Sequence, residues 1–295
     1  MGLTLAPIFI RLLKDDYEPI TLGFVRNGFG SAFLIGLCLI YYRPALLALI
    51  RKPWPVFGIG VLNSFQTYTW NAGIYSTSAT TAQLVLKLNV VFVAVFAFIL
   101  FHEERAVIRS PRFLIGTGLS LVGVAGVLVR DTTELAHVFA PGNLLLLVTA
   151  VSWSVYAVWG KHIVLDIHPV PMFAVVSAIT TIALGITFPI FEDPGGVFRV
   201  GMGTTLLAAL SAVIGVSLAQ STFHYAQRHF GSAFVNTFLL IVPLTTYVVA
   251  NIFLPGESLT PTQMTGAAVL LTGTLLIMTV ENQEAEGEPE HDTTL

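Results

Sequence analysis

The chain has 295 residues, of which 55% are hydrophobic and only 11% charged; its mean hydropathy is +0.80 and its net charge −3. Such a chain lacks the polar residues to coat a soluble globule and is too apolar for disorder. A single cysteine, Cys38, excludes a disulfide framework and any multi-cysteine metal site, and without a basic run nucleic acid is not an expected partner.

Charge-free runs divide the chain into helix-length pieces. Lys52 and Lys87 are separated by 34 residues without Asp, Glu, Lys or Arg, and Arg199 and Arg228 by 28. A helix needs about 20 apolar residues to cross the hydrocarbon, and backbone groups in lipid must be satisfied internally. Barrel strands would show alternating runs of roughly 10 residues, whereas these runs are longer and apolar all round. Ten spans follow in order: Leu3–Leu13, Ile20–Tyr41, Trp54–Ile74, Thr81–Phe101, Phe113–Val129, Leu144–Ile163, Val170–Phe191, Thr204–Ala226, Ala233–Leu254 and Gln263–Val280. Proline and glycine punctuate them at Pro44, Pro53, Pro111, Pro141-Gly142, Pro194-Gly195-Gly196 and Pro255-Gly256. The acidic tail from Glu281 to Leu295 is expected to be disordered. The lipid bilayer is thus the first partner the sequence predicts.

Sliding the chain on itself by 154 positions aligns Gln66 with Gln220, Ala72 with Ala226, Ser78 with Ser232, Ala79 with Ala233, and Glu103 with Glu257. Over residues 66–103 there are eight identities in 38 positions, where chance in so apolar a sequence gives roughly three. Asn89 falls opposite Pro243, and the glycine pairs Gly116/Gly123 and Gly266/Gly273 share one spacing. Near the front of each half the offset is 150, matching Pro19 with Pro169 and Arg11 with Lys161. The chain therefore reads as an all-α membrane protein of ten transmembrane helices in two five-helix repeats, residues 1–130 and 142–280. An odd number of spans per repeat turns the second copy upside down, as in secondary transporters with sites at the midplane. The first span is too short to cross, about 16 Å at 1.5 Å per residue. The repeat predicts roughly ten further residues upstream of it. Eight Lys/Arg in loops on the N-terminal side against four opposite predict both termini in the cytoplasm of a cytoplasmic (inner) membrane protein.

LFHEERAVIRSPRFLIGTGLSLVGVAGVLV and FLPGESLTPTQMTGAAVLLTGTLLIM each run from a hydrophobic helix through a glutamate into a glycine-spaced final helix. VTAVSWSVYAVWGKHIV has the look of an opening helix, and GFVRNGFGSAFLI places Arg26 in the second span. These segments resemble the EamA-type repeats of the drug/metabolite transporter superfamily, over essentially the whole chain. The resemblance implies ten helices in inverted 5+5 topology and transport of small organic solutes. It also implies a central cavity lined mainly by helices 1, 3, 4, 6, 8 and 9. The sequence departs from the pattern in its short first helix and in Asn89, which stands where many repeats carry proline.

All 17 acidic residues map to loops, span ends or the tail, so no buried carboxylate marks a proton or cation path. Two basic residues lie inside spans, Arg26 and Lys87, and an intramembrane charge costs about 2.5–3.5 kcal/mol or more. Lys87, with Gln83 and Asn89 nearby, reads either as a carboxylate or phosphate anchor or as a lysine that snorkels or pairs with a backbone carbonyl. Arg26, beside Asn27, Gly28 and Gly30, reads first as a structural arginine. Gln66 and Gln220 are repeat-equivalent amides, flanked by Tyr68, Trp70 and Asn71 in the third span and by His224 in the eighth. They suit a polar solute or serve as interhelical glue. Trp153 and Tyr156 share a face of the sixth span as an aromatic wall or an interfacial belt. Asn236 and Pro243 mark a kink in the ninth, and Glu103 and Glu257 read as caps or gate pairs.

No HExxH, GxSxG or glycine-rich phosphate loop supports an enzyme, and no cofactor motif is present. His162, Asp166 and His168 form only a weak loop metal candidate. The expected function is secondary transport of small organic metabolites, amino-acid-like or organic-anion, by alternating access. The alternative is a non-transporting scaffold or receptor. Oligomeric state is open, a monomer included.

Overall fold

The computed structural model describes residues 2–100, 110–128, 140–254 and 256–287. Among them the chain is helical throughout, with no strand. The helices are α1 (Gly2–Leu13), α2 (Pro19–Tyr41), α3 (Arg43–Arg51), α4 (Trp54–Tyr75), α5 (Ala79–Leu86), α6 (Asn89–Leu100) and α7 (Pro111–Leu128). They continue with α8 (Pro141–Asp166), α9 (Pro169–Phe191), α10 (Gly196–Arg199) and α11 (Met202–Ala212). A π-helical segment, Val213–Leu218, joins α11 to α12 (Ala219–Phe238), followed by α13 (Ile241–Phe253) and α14 (Pro261–Gly287).

The punctuating prolines start helices. Pro19, Pro111, Pro141, Pro169 and Pro261 each open one, where a missing N–H costs nothing. Other first turns are closed by side chains. Ser78 Oγ accepts from the N–H of Thr81 at 3.0 Å, and Glu192, at the end of α9, accepts from the N–H groups of Ile20 and Thr21, both at 2.7 Å. The carboxylate sits where the unpaired amides and dipole of α2 favour negative charge.

Among the described residues six helices are long and apolar enough to cross a membrane: α2, α7, α8 (through Val164), α9, the Met202–His229 run, and α14 (through Thr279). A seventh results if α3 and α4, bent by 84° at Lys52-Pro53, form one broken span. Gly2–Leu13, Ala79–Val93 and Ile241–Phe253 are shorter apolar helices.

Four sequence expectations shift. The fourth span is split at Lys87–Leu88. The expected gap between the eighth and ninth spans is helical, and α12 runs across it to Phe238, since no proline lies between Ala226 and Ala233. Arg43–Arg51, read as a connection, is a helix that buries Leu46 and Leu49. Helix α14 continues beyond Val280 through Gly287, because Glu, Gln and Ala favour helix in water.

The most extensive helix contact joins α7 to α14, followed by α2 with α9 and α4 with α8. The glycine pairs of the sequence meet in the first of these. A Cβ added at Gly123 would lie 2.3 Å from the Leu270 nitrogen, and one at Gly273 2.6 Å from the Gly116 oxygen. Only hydrogen at these positions lets the two backbones approach so closely.

Candidate functional site

Helix interruptions surround the middle of the bundle. Between α5 and α6 the N–H groups of Lys87 and Leu88 reach back only three residues, to the carbonyls of Leu84 and Val85, both at 3.0 Å. Helical bonding tightens there and then restarts. Between α12 and α13, Pro243 has no N–H to offer the Leu239 carbonyl, which accepts from Val242 at 3.2 Å instead. The matched positions Asn89 and Pro243 thus follow breaks at corresponding places in the two halves. The π segment is the third interruption.

Residues at all three interruptions line one cavity of about 110 Å³: Leu86, Lys87, Asn89 and Val90 at the first, Leu239 and Val242 at the second, Gly215 and Val216 in the π segment. A water needs only about 10–15 Å³ of such volume, so the space admits several waters or a small solute. Arg26, Gln66, Asn71 and Gln220 add polar lining, and Trp70, Trp153 and Phe173 add aromatic walls.

Lys87 is 7% exposed and turned to the cavity, without a hydrogen-bond or ion-pair partner among the described residues. Arg26 is 5% exposed; its Nε donates to Ser211 Oγ at 3.0 Å, and a Cβ on Gly215 would lie 3.1 Å from its guanidinium. Glycine at 215 is what lets the guanidinium lie against the π segment. Among the described residues no Asp or Glu lines the cavity. Three amide oxygens of its lining residues have no donor among the described residues: Gln66 Oε1, Asn71 Oδ1 and Gln220 Oε1. The orientation of Asn71 is fixed, since its Nδ2 donates to the Pro19 carbonyl at 2.9 Å. Unsatisfied buried acceptors of this kind require a partner.

The cavity thus gathers Lys87, Gln66, Gln220, Asn71, Trp70, Asn89 and Trp153 from the expected set, and adds Arg26, which the sequence assigns to structure. Tyr68 is exposed on the outer face of α4: at 100° per residue it lies about 200° round the helix from Gln66. Tyr156 and His224 are fully buried behind Trp153, not on the cavity; Tyr156 Oη and His224 Nε2 share a hydrogen bond at 2.8 Å, and His224 Nδ1 meets Gln227 Oε1 at 3.0 Å. The side chain of Asn236, and all of Glu103, lie outside the described residues. Glu257 lies at one end of the bundle, where it pairs with Arg11 and accepts from the N–H of Ala79 at 2.9 Å, capping α5. Among the described residues no group of three or more His, Cys, Asp or Glu side chains converges as a metal site. His168 instead uses Nδ1 to accept from Val170 at 3.3 Å as the cap of α9.

Sequence reasoning did not mark Thr67, Thr149 or Phe173 as lining. Thr149 reaches in from α8 and donates to Thr69 Oγ1 at 2.8 Å, and a threonine in an apolar helix carries no signal that tells a cavity wall from a packed one.

The sequence matches the EamA-like transporter family twice, over residues 2–129 and again over residues 140–279. The chain belongs to the EamA-like transporter family. Among relatives of this EamA protein are uncharacterized transporters of Archaeoglobus fulgidus (25% identical, covering 82% of each chain) and Haemophilus influenzae (22%, covering 93% of each). Another is the uncharacterized transporter YyaM of Bacillus subtilis, 21% identical over 85% of this chain and 81% of its own. A crystal structure, described only as that of a protein, matches with a TM-score of 0.65 at 18% identity, covering 96% of each chain, and shows a shared fold. This EamA protein is a multi-pass membrane transporter; its family and relatives point to transport, not catalysis.

Proposed function

We propose that the protein is a secondary transporter of small organic metabolites, amino-acid-like or organic-anion, across the cytoplasmic membrane. Two inverted five-helix repeats rock about the central cavity, which opens to one face at a time. Lys87, Gln66, Gln220, Asn71, Trp70, Asn89, Arg26 and Trp153 contact the solute. The observation that carries this reading is the pair of matched helix breaks beside one polar cavity. Interrupted segments at corresponding places in two halves mark transporter sites, because freed backbone is tolerated only where protein or a cavity satisfies it.

Paired contacts support the repeat. Asn63 Nδ2 donates to Thr180 Oγ1 at 2.9 Å, and Ser217 Oγ donates to the Gly30 carbonyl at 2.9 Å. Asn63 and Ser217 are 154 apart, and Gly30 and Thr180 are 150 apart, the offsets at which the two halves align. The lysine and arginine bias supports both termini in the cytoplasm.

Counterflow of a radiolabelled solute in proteoliposomes tests transport; saturable uptake into preloaded vesicles is expected. Unchanged kinetics in Lys87→Ala, Gln66→Ala and Gln220→Ala together would sink the site, and absence of flux with intact binding would favour a receptor. Topology is checked in a Cys38→Ser background with cysteines at Ser110 and Gln283. An impermeant thiol reagent should reach both from one face, and labelling from opposite faces rejects the inverted arrangement.

A further inference from the structure

We infer that the cargo of the central cavity is a net anion, a small carboxylate or phosphate ester that also carries a hydroxyl, and that zwitterions and cations are excluded. This rests on the proposed reading of the cavity as the transport site.

The argument begins with charge. Lys87 and Arg26 both line the cavity, both are more than nine-tenths buried, and among the described residues no Asp or Glu lines it with them. The deeper carboxylates are engaged elsewhere. Glu192 accepts from Ile20, Thr21 and the Thr21 hydroxyl, and Glu257 pairs with Arg11 and caps α5. An uncompensated charge inside a membrane protein is retained where it does work on a ligand or a path. The complement to two buried basic side chains is negative charge brought by the solute.

The amides set the second requirement. Gln66 Oε1, Asn71 Oδ1 and Gln220 Oε1 accept no hydrogen bond from the described residues, and a solute that donates to them would satisfy them. A hydroxyl meets that need without adding charge. An ammonium also donates, but it places a third cation beside Lys87 and Arg26 with only neutral oxygens to receive it. That electrostatic cost separates a hydroxy-acid from an amino acid of the same size. Trp70, Trp153 and Phe173 then limit the solute to a small carbon frame.

The test measures binding and flux separately, on the full-length protein. Binding is read by thermal shift and calorimetry in neutral detergent, and flux by counterflow in phosphatidylcholine vesicles. The probes are L-malate and 3-phosphoglycerate (hydroxylated anions), succinate (anion without hydroxyl), L-threonine (zwitterion) and choline (cation). Malate or phosphoglycerate should bind roughly tenfold or more tightly than threonine and choline, with succinate weaker than malate. Lys87→Gln should cost the anions roughly tenfold, and Lys87→Arg should recover most of it. Threonine or choline binding as tightly as malate overturns the inference, as does anion binding indifferent to Lys87→Gln or no shift with any probe. Should Lys87→Gln fail to fold, the wild-type ranking decides alone. A phosphatidylglycerol arm separates a lipid headgroup from a free anion: binding of that lipid alone overturns the soluble cargo. Anion binding without counterflow sinks the transport reading and leaves the charge inference standing. Threonine counterflow that exceeds malate counterflow does the reverse.

Discussion

Ser177 Oγ lies 3.3 Å from both the carbonyl oxygen and Oδ1 of Asn27, at the buried contact of α2 with α9. The two residues are 150 apart, the offset that matches Pro19 with Pro169. In the proposed inverted repeat each would touch its own mate, as happens where an interface is crossed by a two-fold relation. The hydrogen bond is long and the position fully enclosed, so bulk should matter here more than polarity. Ser177→Ala should cost about 0.6 kcal/mol, within the noise of most melting curves, whereas Ser177→Leu should overpack the α2–α9 contact by about 1–3 kcal/mol. Thermal denaturation in detergent checks the order, and an alanine variant as unstable as the leucine one would contradict it.

The α7–α14 contact gives a sharper contrast. An added Cβ at Gly123 meets the Leu270 backbone, whereas one at Gly118 meets nothing within 4 Å. Gly123→Ala should lower stability by about 1–3 kcal/mol, because a backbone cannot step aside. Gly118→Ala, in the same helix, should raise it by about 0.5–1 kcal/mol through helix propensity. Melting temperatures of the two variants should move in opposite directions.

Glu257 joins three elements: it pairs with Arg11 at the end of α1 and caps α5, while Arg11 reaches the carbonyls of Ile74 and Tyr75 in α4. Glu257→Ala strands a partly buried guanidinium and should cost about 3 kcal/mol. Glu257→Gln keeps an acceptor for Ala79 and should fall between. Removing both charges, as Arg11→Met with Glu257→Met, should recover part of the loss. A double-mutant cycle on melting temperature reads all three.

Tyr156 and His224 offer a test of what the cavity does not use. Tyr156→Phe leaves His224 Nε2 without its partner in a fully buried place and should cost about 1–3 kcal/mol. Because neither ring lines the cavity, KM for the transported solute should be unchanged even as the protein melts earlier. A shift in KM without loss of stability would return the pair to the binding site.

His168 carries a pH dependence. It sits between α8 and α9, outside the spans, its ring tilted against Tyr42 with centroids 4.4 Å apart. Burial first, then the charges of Arg228 and His229, hold its pKa below the usual histidine value. Its Nδ1 must stay unprotonated to cap α9. The unfolded chain takes up a proton near pH 6.5 that the folded chain resists, so stability should fall as pH drops below about 6.5. His168→Asn retains an acceptor for the cap and does not titrate, and its stability should lose that slope in melts between pH 5 and 8.

The helical membrane class and the EamA family were legible in the sequence, because both rest on long-range composition and spacing. The sequence also gathered most of the cavity's amides, since polar residues in apolar spans are few. Local geometry was harder to read. The break at Lys87 has no proline to announce it, unlike its counterpart at Pro243. Tyr68 looked like a neighbour of Gln66 because two residues are close in sequence, although they lie on opposite sides of a helix. Tyr156 and His224 both looked available for a ligand; only coordinates reveal that they satisfy each other. Arg26 was assigned to packing because its flanking glycines favour close helices, and it reaches the cavity as well.

The π turn at Val213–Leu218 has a consequence for how this protein can change. Such a turn holds one residue more than the α-helix it interrupts. Shortening the chain there by a single residue would restore ordinary winding and leave everything downstream, Gln220 included, facing nearly as it does now, because the wider turn takes up its extra residue at a smaller rotation per residue. The wall that carries Gln220 can thus tolerate the loss of one codon in this turn, whereas the same loss in the regular stretch of α11 before Gln220 would turn it by about 100°.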